Sequence, residues 1–176
     1  MPTSSAYELA HLSNLLGAFV TTINDELTLA LEDEVEAGGA VPAALLAIDT
    51  WPGCSIEFLC GVLGLTHSGT VRLVARLESA GFAERRRGAD ARTVALRLTP
   101  QGRMLMRRVR QTRRRVLDRV VTDLSQSEQR LLGTVLDRVL RRTRRSRVQA
   151  QNSCRLCDHT VCRDDACPIG SSAGGV

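Results

Sequence analysis

The sequence predicts a mainly helical fold that carries one small β-hairpin. Aromatic residues make up only 3% of the 176 residues, so the core must consist chiefly of Leu, Val and Ala, which suits helices packed on helices. Most of the chain repeats its apolar residues every three or four positions, the period of an amphipathic helix. Residues 82–99 instead alternate with a period of two around a Gly/Asp tip, which is typical of a hairpin.

A long helix is predicted over residues 5–37, ended by Gly38 and Gly39. Its apolar residues are Leu9, Leu12, Leu16, Val20, Ile23, Leu27 and Leu31. A helix of this length in a small domain can hardly bury its whole apolar face alone, so we expect it to pair with a second subunit.

Residues 41–98 are predicted to form one unit of short helices followed by the hairpin. A helix over 41–50 is ended by a Trp-Pro-Gly sequence. Ser55 can cap the next helix, Gly64 supplies the turn after it, and Thr66 can cap a further helix. Two short capped helices separated by a tight glycine turn indicate a helix-turn-helix.

The predicted hairpin is strongly basic and would project from the helix-turn-helix as a wing. Its tip is formed by residues 88–91, and its basic residues are Arg85, Arg86, Arg87, Arg92 and Arg97. The predicted fold class is therefore a winged helix-turn-helix, mainly α with a small β-hairpin wing.

Residues 99–147 are predicted to contain two further helices that also take part in dimerisation. Thr99 and Pro100 open the first, which runs to about residue 124. The sequence Ser-Gln-Ser-Glu at 125–128 resembles a capping box for the last helix, which an arginine-rich stretch at 141–147 closes. Residues 148–176 lack helical periodicity and are predicted to be a cysteine-rich tail with a flexible end.

The charge of the chain is compatible with binding to nucleic acid. The formal net charge is +5, and all 24 basic residues are Arg. The guanidinium group can engage phosphates and guanine edges with two hydrogen bonds, although a GC-rich codon bias explains the absence of Lys equally well. No apolar run is long enough to cross a bilayer and the N-terminus lacks a signal-peptide pattern, so we expect a cytoplasmic protein without a membrane partner.

Over roughly residues 8–147 the sequence resembles the multiple-antibiotic-resistance regulator (MarR) family. The resemblance rests on LCGVLGLTHSGTVRLVARLESAGFAERR followed by GADARTVALRLTPQG, and within these on Asp90, Arg92, Leu98, Thr99 and Gly102. It implies a homodimer joined through the long N- and C-terminal helices, which binds a pseudo-palindromic operator in double-stranded DNA. It also implies a transcriptional regulator, more typically a repressor, and not an enzyme.

The resemblance implies which residues contact DNA. The exposed start of the recognition helix would read base edges in the major groove, Arg76 would contact phosphate and Arg92 would enter the minor groove. The complete predicted set is His67, Ser68, Gly69, Thr70, Arg72, Arg76, Arg86, Arg87, Asp90 and Arg92. His67 and Gly69 depart from the residues common in the family, and a solvated helix face is the alternative interpretation of Arg72 and Arg76.

The tail contains a C-x2-C-x4-C-x4-C array formed by Cys154, Cys157, Cys162 and Cys167. This spacing is that of a small zinc knuckle, with Cys162 where that motif usually has His, and it predicts a metal site. Four thiolates suit Zn(II), and they equally suit a [4Fe–4S] or [2Fe–2S] cluster. The small loop offers little apolar cover, which favours zinc, and a metal-free thiol switch is the third possibility.

The function of the tail depends on its occupant. Zinc would order the tail structurally, whereas an iron–sulfur cluster would sense redox or metal state through the adjoining last helix. A small molecule is a further possible effector. Cys54 and Cys60 are expected to be buried apolar residues and His159 to be exposed. Two alternative functions are a thiol-based redox protein and a protein-interaction adaptor that uses the zinc tail on a winged-helix scaffold.

Overall fold

The computed structural model describes residues 4–35, 38–87, 94–142, 146–162 and 167–169. Within these ranges the order of elements is α1 (Ser4–Glu32), α2 (Val41–Thr50), α3 (Ile56–Leu63), α4 (His67–Ser79), β1 (Ala83–Arg87), β2 (Val94–Leu98), α5 (Pro100–Thr122), α6 (Gln126–Arg142) and α7 (Arg147–Ser153). The mainly helical class with a two-stranded wing is confirmed.

The core surrounds α2, whose residues from Val41 to Ile48 are all buried. Helices α3 and α5 and strand β2 pack against α2, and α1 packs on α5. Leu45, Leu59, Val74, Leu96 and Val109 are among the fully buried side chains. Five different elements therefore contribute to one apolar core that fixes the position of α4.

The wing is an antiparallel pair in which Ala83 lies opposite Leu98 and Arg87 lies opposite Val94. Gly53 N donates to Leu96 O at 2.8 Å, and Leu96 N donates to Cys54 O at 3.0 Å. Residues 53 and 54 thus pair with β2 through two backbone hydrogen bonds, which join the wing to the α2–α3 connection.

Two boundaries differ from the sequence prediction. Helix α1 ends at Glu32 rather than at residue 37, because the chain turns inward there and buries Val35. The tail, predicted to lack helix beyond residue 148, contains α7, which a capping box between Ser146 and Gln149 opens. No single described helix is long and apolar enough to cross a membrane, and the bent pair α3–α4 qualifies only when both helices are counted together.

Candidate nucleic-acid interface and cysteine cluster

The helix-turn-helix is built by local capping and one glycine. Ser55 Oγ accepts a hydrogen bond from Phe58 N at 3.1 Å, and Thr66 Oγ1 accepts one from Gly69 N at 3.2 Å. Gly64 ends α3 with φ +66°, a left-handed conformation that strains other residues. The axes of α3 and α4 consequently differ by 107°, within the range of helix-turn-helix units.

The start of α4 presents some, but not all, of the predicted contact residues. His67, Ser68, Arg72 and Arg76 are exposed. Gly69 is half-buried, and its backbone N–H is used in the cap.

The expectation that Thr70 is exposed is wrong. Its side chain is fully buried, and its hydroxyl donates to Thr66 O at 3.1 Å. Thr70 lies three and four residues before Leu73 and Val74, which are buried too, so the helical period already placed it on the apolar face.

The described part of the wing carries exposed arginines that are partly neutralised by neighbouring carboxylates. Arg86 and Arg87 are exposed. Arg86 Nε lies 2.8 Å from Glu84 Oε1, and this hydrogen bond raises the pKa of Arg86. Arg85 Nε lies 3.2 Å from Glu78 Oε2, which links the wing to α4. The predicted contact residues Asp90 and Arg92 lie outside the described residues.

The four tail cysteines lie in neighbouring pairs in the structure. The thiol of Cys154 is hydrogen-bonded to those of Cys157 and Cys167, and the thiol of Cys162 is hydrogen-bonded to that of Cys167. Cys154 and Cys167 are buried, Cys157 is half-buried and Cys162 is exposed. The cluster is thus a set of four sulfur donors on one short segment.

The cysteines differ in their readiness to ionise. The hydrogen bond from Cys154 lowers the pKa of Cys157 to about 6, with a smaller contribution from the positive charge of Arg113. The same hydrogen bond, together with burial, raises the pKa of Cys154. Burial also raises the pKa of Cys162. The interaction between the two thiols therefore favours the thiolate at Cys157 and the protonated thiol at Cys154.

The tail docks on the helix-turn-helix through α7. Asn152 Nδ2 donates to Val62 O at 3.0 Å, in the last turn of α3. A Cβ atom at Gly61 would lie 3.3 Å from Val148 Cγ1, and one at Gly64 would lie 3.0 Å from Asn152 Nδ2. The two glycines therefore allow the close approach of α7 to α3.

A second contact joins the cysteine segment to the core. Leu156 packs against the core cluster. The ring of His159 meets that of Trp51 edge to face at a centroid distance of 5.2 Å, and Trp51 meets Phe58 in the same way. His159 is half-buried, so the expectation of an exposed histidine is wrong. The aromatic partner lies 108 positions away in sequence, and no local pattern links the two residues.

Cys54 and Cys60 are half-buried, which is less than the sequence predicts. Burial raises the pKa of Cys54 to about 11, so this thiol stays protonated at neutral pH and behaves as a small apolar side chain.

Comparisons with known proteins identify the fold. No protein-family model matches the sequence, and a search of curated proteins gives no match either. Among solved structures, YusO from Bacillus subtilis is similar with a TM-score of 0.68 at 17% identity, over 78% of this chain and 97% of YusO. Streptococcus pneumoniae FabT in complex with DNA gives 0.62 at 20% identity, over 72% and 94% of the two chains.

A mutant MarR from E. coli, complexed with operator DNA, gives a TM-score of 0.55 at 23% identity, over 71% of this chain and 93% of that one. Each match covers more than two thirds of this chain. The chain therefore has the winged helix-turn-helix fold of MarR.

Proposed function

We propose that this chain is a MarR-type transcriptional regulator that binds double-stranded DNA as a homodimer. One observation carries the proposal: α4 has an exposed polar and basic face and is joined at its C-terminal end to a basic wing, on the fold of two proteins solved with DNA. Arg72 and Arg76 lie four residues apart on the exposed face of α4, in position to meet base edges and phosphate. MarR-type regulators are not enzymes, and no reaction is proposed.

Dimerisation is supported by apolar surface that the described part of one chain leaves uncovered. Helix α1 exposes a continuous apolar face, and α6 contains no buried residue. The large exposed apolar residues of these helices include Leu9, Leu12, Leu16, Phe19, Val20, Leu131, Leu136 and Val139. Contiguous patches of this kind mark interfaces, and a symmetric partner would present two recognition helices to a pseudo-palindromic operator.

DNA binding is tested with a fragment of the promoter of its own gene, by measuring the dissociation constant at several salt concentrations. We expect a steep salt dependence, because each neutralised phosphate releases counterions. Arg72→Ala should weaken binding by about 1–3 kcal/mol. Arg114→Ala is the matched control, since Arg114 is exposed on α5 and pairs with Asp118 at 3.2 Å. Equal affinities of the two variants would contradict the assignment of α4 as reader.

The second part of the proposal is that Cys154, Cys157, Cys162 and Cys167 hold Zn(II) or an iron–sulfur cluster. The donor set fits both, because each is bound by four thiolates. Zinc would contribute folding free energy to the tail, and a cluster would supply one-electron redox chemistry. The tail docks on α3 of the helix-turn-helix, so its state would influence the reader directly, in addition to any effect through α6 and the arginine-rich stretch.

The absorption spectrum of protein purified without oxygen tests the occupant. A brown protein with iron and sulfide identifies a cluster, and a colourless protein with one tightly bound zinc that Cys154→Ser removes identifies a structural zinc site in the tail. A protein that binds neither would refute this second part and favour the thiol switch.

A further inference from the structure

A second group of metal-ligating side chains lies at the junction of α3 and α4 and contains none of the tail cysteines. The ligand atoms of Glu57, Cys60 and His67 all lie within 4.8 Å of one another. Glu57 and Cys60 are three residues apart on one face of α3, and His67 is the first residue of α4. The 107° turn between the helices brings the three groups together.

The distances are close to those that a tetrahedral zinc ion requires. Bonds of about 2.0–2.3 Å from zinc to nitrogen, oxygen or sulfur place two ligand atoms about 3.3–3.8 Å apart. His67 Nδ1 already lies 3.6 Å from Glu57 Oε2. These two side chains are 67% and 85% exposed, so rotation about their own bonds can close the remaining gap to the thiol, which is at most about 1 Å.

We propose that Glu57, Cys60 and His67 form a Zn(II) site that is separate from the cysteine cluster. Thiolate, imidazole and carboxylate are the three ligand types that zinc takes in proteins. Three protein ligands leave the fourth position open to water, since two of the three side chains face solvent. On binding, the Cys60 thiol loses its proton to solvent and its sulfur bonds to the ion, with no change of oxidation state.

Occupancy of this site would change DNA recognition, a consequence that rests on the proposed function. His67 is one of the residues proposed to read a base edge. Zinc would occupy one of its ring nitrogens and hold the ring beside Glu57 and Cys60, so the ring could no longer turn toward a base. We expect zinc to weaken operator binding by roughly tenfold, the loss of one base contact. Binding to unrelated DNA should change little, because it depends on phosphate contacts.

Metal binding is tested on the full chain purified with its tail metal or cluster retained. Co(II) is added as a spectroscopic probe for zinc, and the tail metal content is measured before and after. We expect one additional equivalent, with a thiolate-to-cobalt charge-transfer band that Cys60→Ser abolishes. His67→Ala should lose the additional equivalent, and Zn(II) should displace Co(II) in the wild-type chain.

Two matched controls should keep both signals. Cys54→Ser removes the other half-buried cysteine near α3, and His11→Ala removes an exposed histidine on α1. Circular dichroism verifies folding, and Glu57→Gln replaces any variant that fails this check. The proposal is overturned if the wild-type chain takes up no additional equivalent, or if Cys60→Ser and His67→Ala retain it at unchanged affinity. Zinc uptake with unchanged operator affinity would overturn the regulatory consequence alone, and zinc uptake without any DNA binding would refute only the proposed function.

Discussion

We expect Gly102→Ala to lower the free energy of unfolding strongly, although it adds only one methyl group. Gly102 is buried in the first turn of α5, where its N–H donates to Thr99 Oγ1 at 3.0 Å. A Cβ atom there would lie 1.8 Å from Phe82 O and 2.8 Å from Phe82 C. Gly102→Ala therefore forces the start of α5 away from the turn that joins α4 to the wing.

The loss of stability follows from how far the start of α5 must move. Side-chain carbons do not approach other atoms within 3.0 Å, so the 1.8 Å contact requires a displacement of at least 1.2 Å. That displacement breaks two hydrogen bonds, from Thr99 N to Phe82 O at 3.1 Å and from Thr99 Oγ1 to Gly81 O at 2.6 Å. Two hydrogen bonds at about 1 kcal/mol each and overpacking of about 2 kcal/mol, less about 1 kcal/mol for the better helix propensity of Ala, give a loss of about 3 kcal/mol.

Urea denaturation at fixed protein concentration measures this loss as a change in the free energy of unfolding. Gly133→Ala is the control, because a Cβ atom on that glycine of α6 meets no described atom of its own chain within 4 Å. The control should be neutral or more stable by up to about 1 kcal/mol. A Gly102→Ala variant within about 0.5 kcal/mol of the control would refute the steric argument.

Two further predictions concern contacts that hold the domain together. Asn152→Ala removes the hydrogen bond to the Val62 carbonyl and should weaken tail docking by about 1–2 kcal/mol. The loss should be seen as faster hydrogen exchange and faster proteolysis of α7. Ser153→Ala is the control and should change neither rate, because the Ser153 hydroxyl bonds within α7. Glu34→Gln should cost about 1–2 kcal/mol at pH 7, because the hydrogen bond from Thr112 at 2.7 Å favours the carboxylate. That hydrogen bond lowers the pKa of Glu34 below its ordinary 4.5. Its contribution is complete above that value and is lost as pH falls through the lowered pKa, so wild type and Glu34→Gln should converge in stability once the pH lies below the lowered pKa. A gap between them that stays constant with pH would contradict this assignment.

Most of the winged helix-turn-helix could be predicted from interactions between residues close together in the sequence. Ser55, Thr66 and Thr99 are confirmed as helix caps, because a cap depends on residues three positions away. The fold class follows from these caps, the two hydrophobic periods and their order along the chain. The roles of the predicted DNA-contacting residues stay predictions, apart from the exposure of Thr70.

The docking of the tail on α3 could not be predicted from local sequence patterns. The hydrogen bond from Asn152 to Val62 spans 90 positions, and only the folded chain shows that they meet. Helix α7, by contrast, was within reach, since Ser146 and Gln149 have the spacing of a capping box. The Glu57, Cys60 and His67 group needed the angle between α3 and α4, which the sequence indicates only as a turn at Gly64.

The glycines in and just after α3 also bear on whether the tail can be transferred to another protein. Gly61 and Gly64 leave room for Val148 and Asn152, and Trp51 supplies the ring that His159 contacts. If the tail were fused to another winged-helix protein, it would clash with any side chain at the positions of Gly61 and Gly64. An engineer who grafts residues 146–169 must therefore graft Gly61, Gly64 and Trp51 with them, so the unit of transfer is a surface that the tail shares with residues 51–64.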